Sequence, residues 1–290
     1  MQRLILTLFI ALITALPTFG AAASPAADDN GGNRPTAGAE VRLGLHSGAG
    51  YGLWRDLGAS PLTYPGIELQ PALSVAVDLP LWRFHAFSYL TVGAYGWHRN
   101  SYNFDSFGGQ TAACVEAWRR CLERDRWQLW GGASLGNTGD IRYSRLLGNA
   151  GVGVSDFVTL TLAARAEYRL PHWLLHGSLA FSPAALTLRP GYAYIANYDR
   201  DLQNPAANTF EQYRWYLVGA CGVATDIGIH LLLSNGNRIG VSYLWHHLTS
   251  RTAAEAPHRF DQASHTLSFS LEFSLTPRPA VTTSQPLPAQ

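Results

Sequence analysis

Apolar and polar residues alternate one by one over long stretches of this chain. Val158, Leu160, Leu162, Ala164, Ala166, Tyr168 and Leu170 fall on one side of an extended strand, with Thr159, Thr161, Ala163, Arg165, Glu167 and Arg169 on the other. Ile67, Leu69, Leu73, Val75, Val77 and Leu79 are set in the same way against Glu68, Gln70, Ser74 and Asp78. Near the carboxyl end, Leu267, Phe269, Leu271, Phe273 and Leu275 oppose Thr266, Ser268, Ser270, Glu272 and Ser274. A period of two is the signature of strands whose two faces meet different surroundings.

Alternation fits both a soluble sandwich, with the apolar face toward a core, and a membrane barrel, with that face toward lipid. Length separates the two. The alternating segments persist for roughly 10 to 15 residues, against about 5 or 6 in soluble strands and roughly 9 to 11 in a tilted membrane strand. Connections also alternate between short and long, as expected for periplasmic turns and external loops. Short turns are predicted at residues 78–83, 137–140, 171–173 and 234–236, and long connections at 50–65, 101–125, 183–213 and 251–262. The fold expected is therefore all-β, a transmembrane antiparallel barrel of about ten strands, with eight or twelve as alternatives because strand number is even. Residues 140–155 are the least clear part of that count.

One hairpin fixes its own register. Ile227, Ile229, Leu231 and Leu233 precede the turn, and Ile239, Val241, Tyr243 and Trp245 follow it, all odd-numbered. Paired residues share a face, so the loop has an odd length. A three-residue loop at 234–236, with Gly236 at positive φ, pairs Ile229 with Val241 and Leu231 with Ile239.

The ends of the chain read differently. Arg3 precedes a charge-free apolar run at 4–16, then Pro17 and the small residues Gly20, Ala21, Ala22 and Ala23. This is the order of a secretory signal, cut after Ala23 or Ala21; the run is short for a helical anchor, which needs roughly 20 residues. Residues 1–23 are thus expected as signal peptide, 24–38 as a flexible leader, 39–275 as one barrel domain and 276–290 as a Pro-rich tail. No Cys follows the apolar run, so nothing points to a lipid-modified amino terminus.

Composition agrees with a surface that does not meet water. The chain is 47% hydrophobic and 14% charged, where about 25% charged is usual for soluble domains. Its 9 Trp, 13 Tyr and 12 Phe suit a membrane interface. A net charge of +1 gives no reason to expect nucleic acid. The partners expected are outer-membrane lipid, lipopolysaccharide and the barrel-assembly machinery, and the location is the bacterial outer membrane. Of the 3 Cys, Cys114 and Cys121 lie seven apart in a polar stretch; they form a disulfide if that stretch is an irregular loop and not if it is regular, with Cys221 left as a thiol.

Residues Ser60, Pro61, Leu62, Thr63, Tyr64, Pro65 and Gly66, the run from Ser234 through Asn235, Gly236, Asn237, Arg238 and Ile239 to Trp245, and Asn149, Leu188, Arg189, Pro190, Gly191 and Tyr192 resemble segments of a group of uncharacterised bacterial outer-membrane barrel proteins. The resemblance extends over most of the chain after the signal and implies the same fold and location. Its motifs are turns and strand starts and imply no catalytic residue. Where the group has a second aromatic after the Trp, this chain has His246 and His247.

Some barrels are lipid-modifying hydrolases, which makes Ser242, His230, Asp226 and His246 the candidate catalytic set. All four face the lumen in the register above, and Ser242 is diagonal to Asp226 and His230. Activation of the serine needs about 2.6 to 3.2 Å, while diagonal neighbours start roughly 7 Å apart; Ser242 and His246 lie about 13 Å apart along one strand. The competing reading is that Ser, His and Asp are ordinary polar lumen filling, and no Gly-x-Ser-x-Gly is present. Arg165, Glu167 and Arg169, with Glu68 and Asp78, are expected as lumen charges that either select solutes or close the interior. Adjacent His246 and His247 point to opposite faces, so no metal site or cofactor is expected. Residues 115–126, with Trp118 and four Arg, read as an outer, helical loop able to meet lipopolysaccharide phosphates. The function expected is a non-enzymatic structural or surface-interaction barrel or a narrow solute passage. The alternatives are a lipid-modifying hydrolase and a soluble periplasmic β-sandwich binding protein.

Overall fold

The computed structural model describes residues 39–56, 63–96, 106–144, 152–190, 213–218, 221–251 and 259–276. The signal segment, the leader and the tail beyond residue 276 lie outside the described residues. Among the described residues eleven strands follow one another: β1 (Glu40–Asp56), β2 (Thr63–Asp78), β3 (Trp82–Tyr95), β4 (Ser106–Arg124), β5 (Trp127–Ser144), β6 (Val152–Arg169), β7 (Trp173–Pro190), β8 (Tyr213–Val218), β9 (Cys221–Leu232), β10 (Arg238–Arg251) and β11 (Arg259–Ser274). Each pairs antiparallel with its neighbour, except that β8 and β9 both pair with β7 and not with each other, and β11 returns to β1, so the sheet closes on itself. β8 pairs with residues 185–190 of β7, and β9 with residues 173–182. These two strands therefore lie end to end in one position, and eleven strands make a ten-membered barrel.

The faces are inverted relative to a water-soluble protein. Leu73 is 54% exposed and Leu267 62%, while Glu167 is 2% exposed and Arg42 5%. This excludes the sandwich, in which the same apolar faces would be pressed together. Outward Trp82, Trp127 and Trp173 ring the short-turn end, and Tyr51, Tyr143 and Trp215 stand toward the other. An apolar belt between two aromatic girdles is the surface of a transmembrane barrel. Within hydrocarbon a closed sheet also satisfies every backbone group without an edge. The protein is a β-barrel of the bacterial outer membrane; in such barrels the short turns lie toward the periplasm and the longer connections outside.

Two expected connections are strands. Residues 106–124 form β4 and residues 137–140 lie within β5, paired on both sides. Gly136, Asn137, Thr138, Gly139 and Asp140 have turn chemistry, yet ladders to two neighbours outweigh local propensity. Asn137 donates instead to Asp156 Oδ1 and to the Phe157 carbonyl. The tight turn sits at Asp125 and Arg126, with Asp125 at φ 53°, so residues 115–126 are a hairpin at the periplasmic end and not an outer helical loop. Cys114 and Cys121 are consequently free thiols: seven residues of extended strand separate them by about 23 Å. Residues 183–190 belong to β7, and β1 continues to Asp56.

The hairpin between β9 and β10 has the register read from the sequence, with Ile229 opposite Val241 and Leu231 opposite Ile239. Leu233 N donates to Asn237 O at 2.9 Å, and Gly236 has φ 91°. A Cβ in that left-handed conformation costs about 1 kcal/mol. Gly236→Ala is expected to lose that much stability in urea titrations of the folded barrel, with its conducting state unchanged.

A second irregularity aims a side chain. β7 carries an extra residue at Ser182 and Pro183, where its register against β6 shifts between Leu160 and Leu162. Pro183 has no N–H to give the ladder, which suits a bulge. Below the bulge the inward residues of β7 are even-numbered (Leu174, His176); above it they are odd (Thr187, Arg189). Without the bulge Arg189 would face lipid.

Candidate functional site in the filled lumen

The interior holds two layers of side chains. In the periplasmic half an ion-paired ring crosses the barrel. Arg42 Nη1 on β1 meets Asp78 Oδ2 on β2 at 2.8 Å, and Asp78 Oδ1 accepts from Arg83 Nε on β3 at 2.6 Å. Arg83 then spans the lumen to Glu167 on β6, with its Nη1 at 2.6 Å from Oε1. Glu167 also accepts from Arg165 Nε at 2.9 Å, and Arg165 Nη1 lies 3.8 Å from Asp226 Oδ2 on β9. His176 Nε2 on β7 is 3.0 Å from the same oxygen, and its ring lies 5.0 Å from that of His230. His230 Nδ1 is 3.8 Å from Glu272 Oε1, whose other oxygen is 3.4 Å from Arg42 Nε. The circuit is closed. The Arg83 guanidinium also lies 4.5 Å from the centre of the Trp130 ring, a contact that holds a cation where water is scarce.

Glycines make room for these chains. A Cβ on Gly228 would stand 2.6 Å from His176 Cε1 and 2.7 Å from the Ser242 Cβ. A Cβ on Gly240 would collide with His230 and Ser270. Inward glycines thus leave the space across which neighbouring side chains lie. The cavity left beside the ring is about 80 Å³ and is lined by Arg42, Ser74, His85, Glu116 and Trp118 among others; that is room for a few waters.

Toward the outer end, Asp56 pairs with Arg189 Nη2 at 2.6 Å and Arg142 Nη1 at 3.8 Å. Arg142 is also bonded to Asp140, which accepts from Gln110 at 2.8 Å. Arg142 lies 4.8 Å from the Trp54 ring centre and 4.4 Å from that of Phe260, and Arg189 lies 4.9 Å from Phe260. Trp54 stacks on Tyr64, and Phe260 on Phe157. Tyr95 donates to Glu68 at 2.6 Å. Charges buried in this way are tolerated because each has a partner.

The residues singled out from the sequence fall as follows. Arg165 and Glu167 are in the ring, whereas Arg169 is exposed at the periplasmic rim, where it lines a vestibule of about 670 Å³ with Arg126 and Arg238. Asp226 and His230 are both in the ring, but the histidine bonded to Asp226 is His176, which was not singled out. Ser242 stands diagonal to both, and its hydroxyl has no hydrogen-bond partner among the described residues. His246 is opposite Ala224 and Ser264, away from the ring. Among the described residues no three His, Cys, Asp or Glu side chains converge as metal ligands. Arg83 falls within the turn expected at 78–83 and Arg142 within the unclear region 140–155, where alternation marks neither; their parity on β3 and β5 identifies both as inward.

No protein-family model matches the chain, and no curated protein is similar in sequence. Solved structures with a similar arrangement of strands include the outer membrane protease OmpT from Escherichia coli (9% identity, 81% of this chain and 95% of that one, TM-score 0.46). They also include the translocator domain of the autotransporter NalP from Neisseria meningitidis (12% identity, 91% and 96%, TM-score 0.39) and the neisserial surface protein A (9% identity, 81% and 98%, TM-score 0.33). At such identities and scores neither an activity nor a site carries over from them.

Proposed function

We propose that this outer-membrane barrel is closed to solutes and acts at the cell surface as a structural or interaction protein. The observation that carries this reading is the ring from Arg42 through Arg83 and Glu167 to Glu272, which crosses the lumen, with a cavity of about 80 Å³ beside it. The aromatic and arginine layer above it is a second barrier. A ten-strand barrel has a narrow interior, and long charged and aromatic side chains fill it. Interaction therefore falls to the outer wall and to the external connections, and insertion to the barrel-assembly machinery. The resemblance to uncharacterised outer-membrane barrels goes with this reading: its segments lie at the start of β2, at the end of β7 and along the hairpin of β9 and β10, with Ser60, Pro61, Leu62, Asn149, Gly191 and Tyr192 outside the described residues.

Planar-bilayer recording tests the proposal. The wild-type chain is expected to give no steady single-channel steps, and Arg83→Ala combined with Arg142→Ala, which cuts both layers, is expected to give them. Steady steps from the wild type would mean a passage. Ser242 as the nucleophile of a lipid hydrolase is the weaker reading, because Asp226 is bonded to His176 and neither histidine of the ring is hydrogen-bonded to the Ser242 hydroxyl; Ser242→Ala is expected to leave outer-membrane lipids unchanged.

A further inference from the structure

Outward-facing arginines gather at one place on the outer rim. On β1 the outward residues are odd-numbered, from Leu43 to Tyr51, and Arg55 continues that series. Its ladder partner on β11 is Asp261, which is paired on its other side with Thr249 of β10. Asp261 Oδ1 accepts from Thr249 Oγ1 at 2.8 Å and from Arg259 Nε at 2.7 Å. Arg251 stands opposite Arg259 in the ladder. Three arginines and one aspartate thus share the outer ends of three adjacent strands. Among the described residues the Arg55 side chain has no ion pair, and its Nε is out of solvent with no hydrogen-bond partner. Arg259 remains 45% exposed despite its bond to Asp261. Farther round the rim, Arg142 and Arg189 turn inward to Asp56, so they do not contribute to this surface.

The height of the cluster suggests what it meets. Four residues nearer the membrane along these strands lies a row formed by Tyr51, His265 and Trp245, with Tyr243 bonded through its hydroxyl to His265 Nδ1 at 2.6 Å. Amphipathic aromatics of this kind mark the level of the lipid interface. The arginines stand about 10 Å beyond that row along the tilted strands, at the level of headgroups. Guanidinium groups bind phosphate through paired N–H donors, and a half-buried arginine without an anion is the incomplete half of such a pair.

We propose that Arg55 and Arg259 bind the phosphate of an outer-leaflet glycolipid headgroup, held against the wall of β11 and β1. The site rests on the membrane orientation of the proposed function and not on the closed lumen. An open lumen shows as conductance, whereas failure of this site shows only in lipid binding.

The test uses the full mature chain, refolded in detergent without lipid and monitored by native mass spectrometry. Bis-phosphorylated lipid A, its dephosphorylated form and inorganic phosphate are added separately. Wild type is expected to retain the phosphorylated lipid, and Arg55→Gln with Arg259→Gln to bind it about tenfold more weakly, while Arg169→Gln on the periplasmic rim leaves binding unchanged. Inorganic phosphate that displaces the lipid at equal concentration would assign the site to free phosphate and overturn the lipid proposal. Equal retention of phosphorylated and dephosphorylated lipid A by the wild type would overturn it as well, and needs no variant to fold.

Discussion

Arg83→Ala is expected to destabilise the barrel by about 3–5 kcal/mol, the cost of leaving a buried charge without its partner. Arg83 is the one side chain of the ring that reaches from β3 to β6, and its removal strips Asp78 and Glu167 of short bonds at 2.6 Å each. Glu167, 2% exposed, then depends on Arg165 alone. Urea unfolding in lipid vesicles, followed by tryptophan fluorescence, measures the loss. Pairing Arg83→Ala with Glu167→Ala is expected to cost less than the two single changes added together, because neither charge is then stranded. A single-variant loss below about 1 kcal/mol, the worth of an exposed pair, would show that water already screens the ring and that the lumen is wet.

Leu73→Arg is expected to cost about 2–4 kcal/mol in the same vesicles, the depth-dependent penalty for a cation on the lipid face of a barrel. Leu73 is 54% exposed, and its ladder partner on β1 is Leu45, also outward. In a water-soluble protein an arginine at so open a position changes stability by about 0.5 kcal/mol or less. The two surroundings therefore give opposite results for one substitution. A near-neutral Leu73→Arg would remove the lipid from around the belt, and with it the outer-membrane location.

Both effects follow from the same inversion of faces, and that inversion is legible in the alternation of the sequence. The segments beginning at Val158, at Ile67 and at Leu267 keep a period of two for longer than a soluble sheet needs, and their apolar sides do face outward, with Val77 alone of the Ile67 series buried among its neighbours. The register at Ile229 and Val241 followed from odd numbering on both sides of the loop. The errors came from β4 and β5, where Gly108, Gly109, Ala112 and Ala113 and then the Gly136 to Asp140 run lack the bulky alternation of the other strands. Those residues are strand because neighbours on both sides supply ladders along their whole length, and no local pattern records a neighbour. The same error turned a β-hairpin into an expected loop and suggested a bridge between Cys114 and Cys121.

The sequence by itself determined that the chain is all-β, that its strands are long enough to cross a bilayer and that one side of each is greasy. These properties depend on residues within a few positions of one another. Only the tertiary structure decided that the interior is shut, because Arg83 and Glu167 are 84 residues apart and closure of the barrel is what brings them together. It decided equally that His176 and not His230 bonds Asp226, and that a one-residue bulge at Pro183 turns Arg189 inward. Local alternation assigns a side chain to a face; which partner waits across the lumen is set by the circumference of the closed sheet.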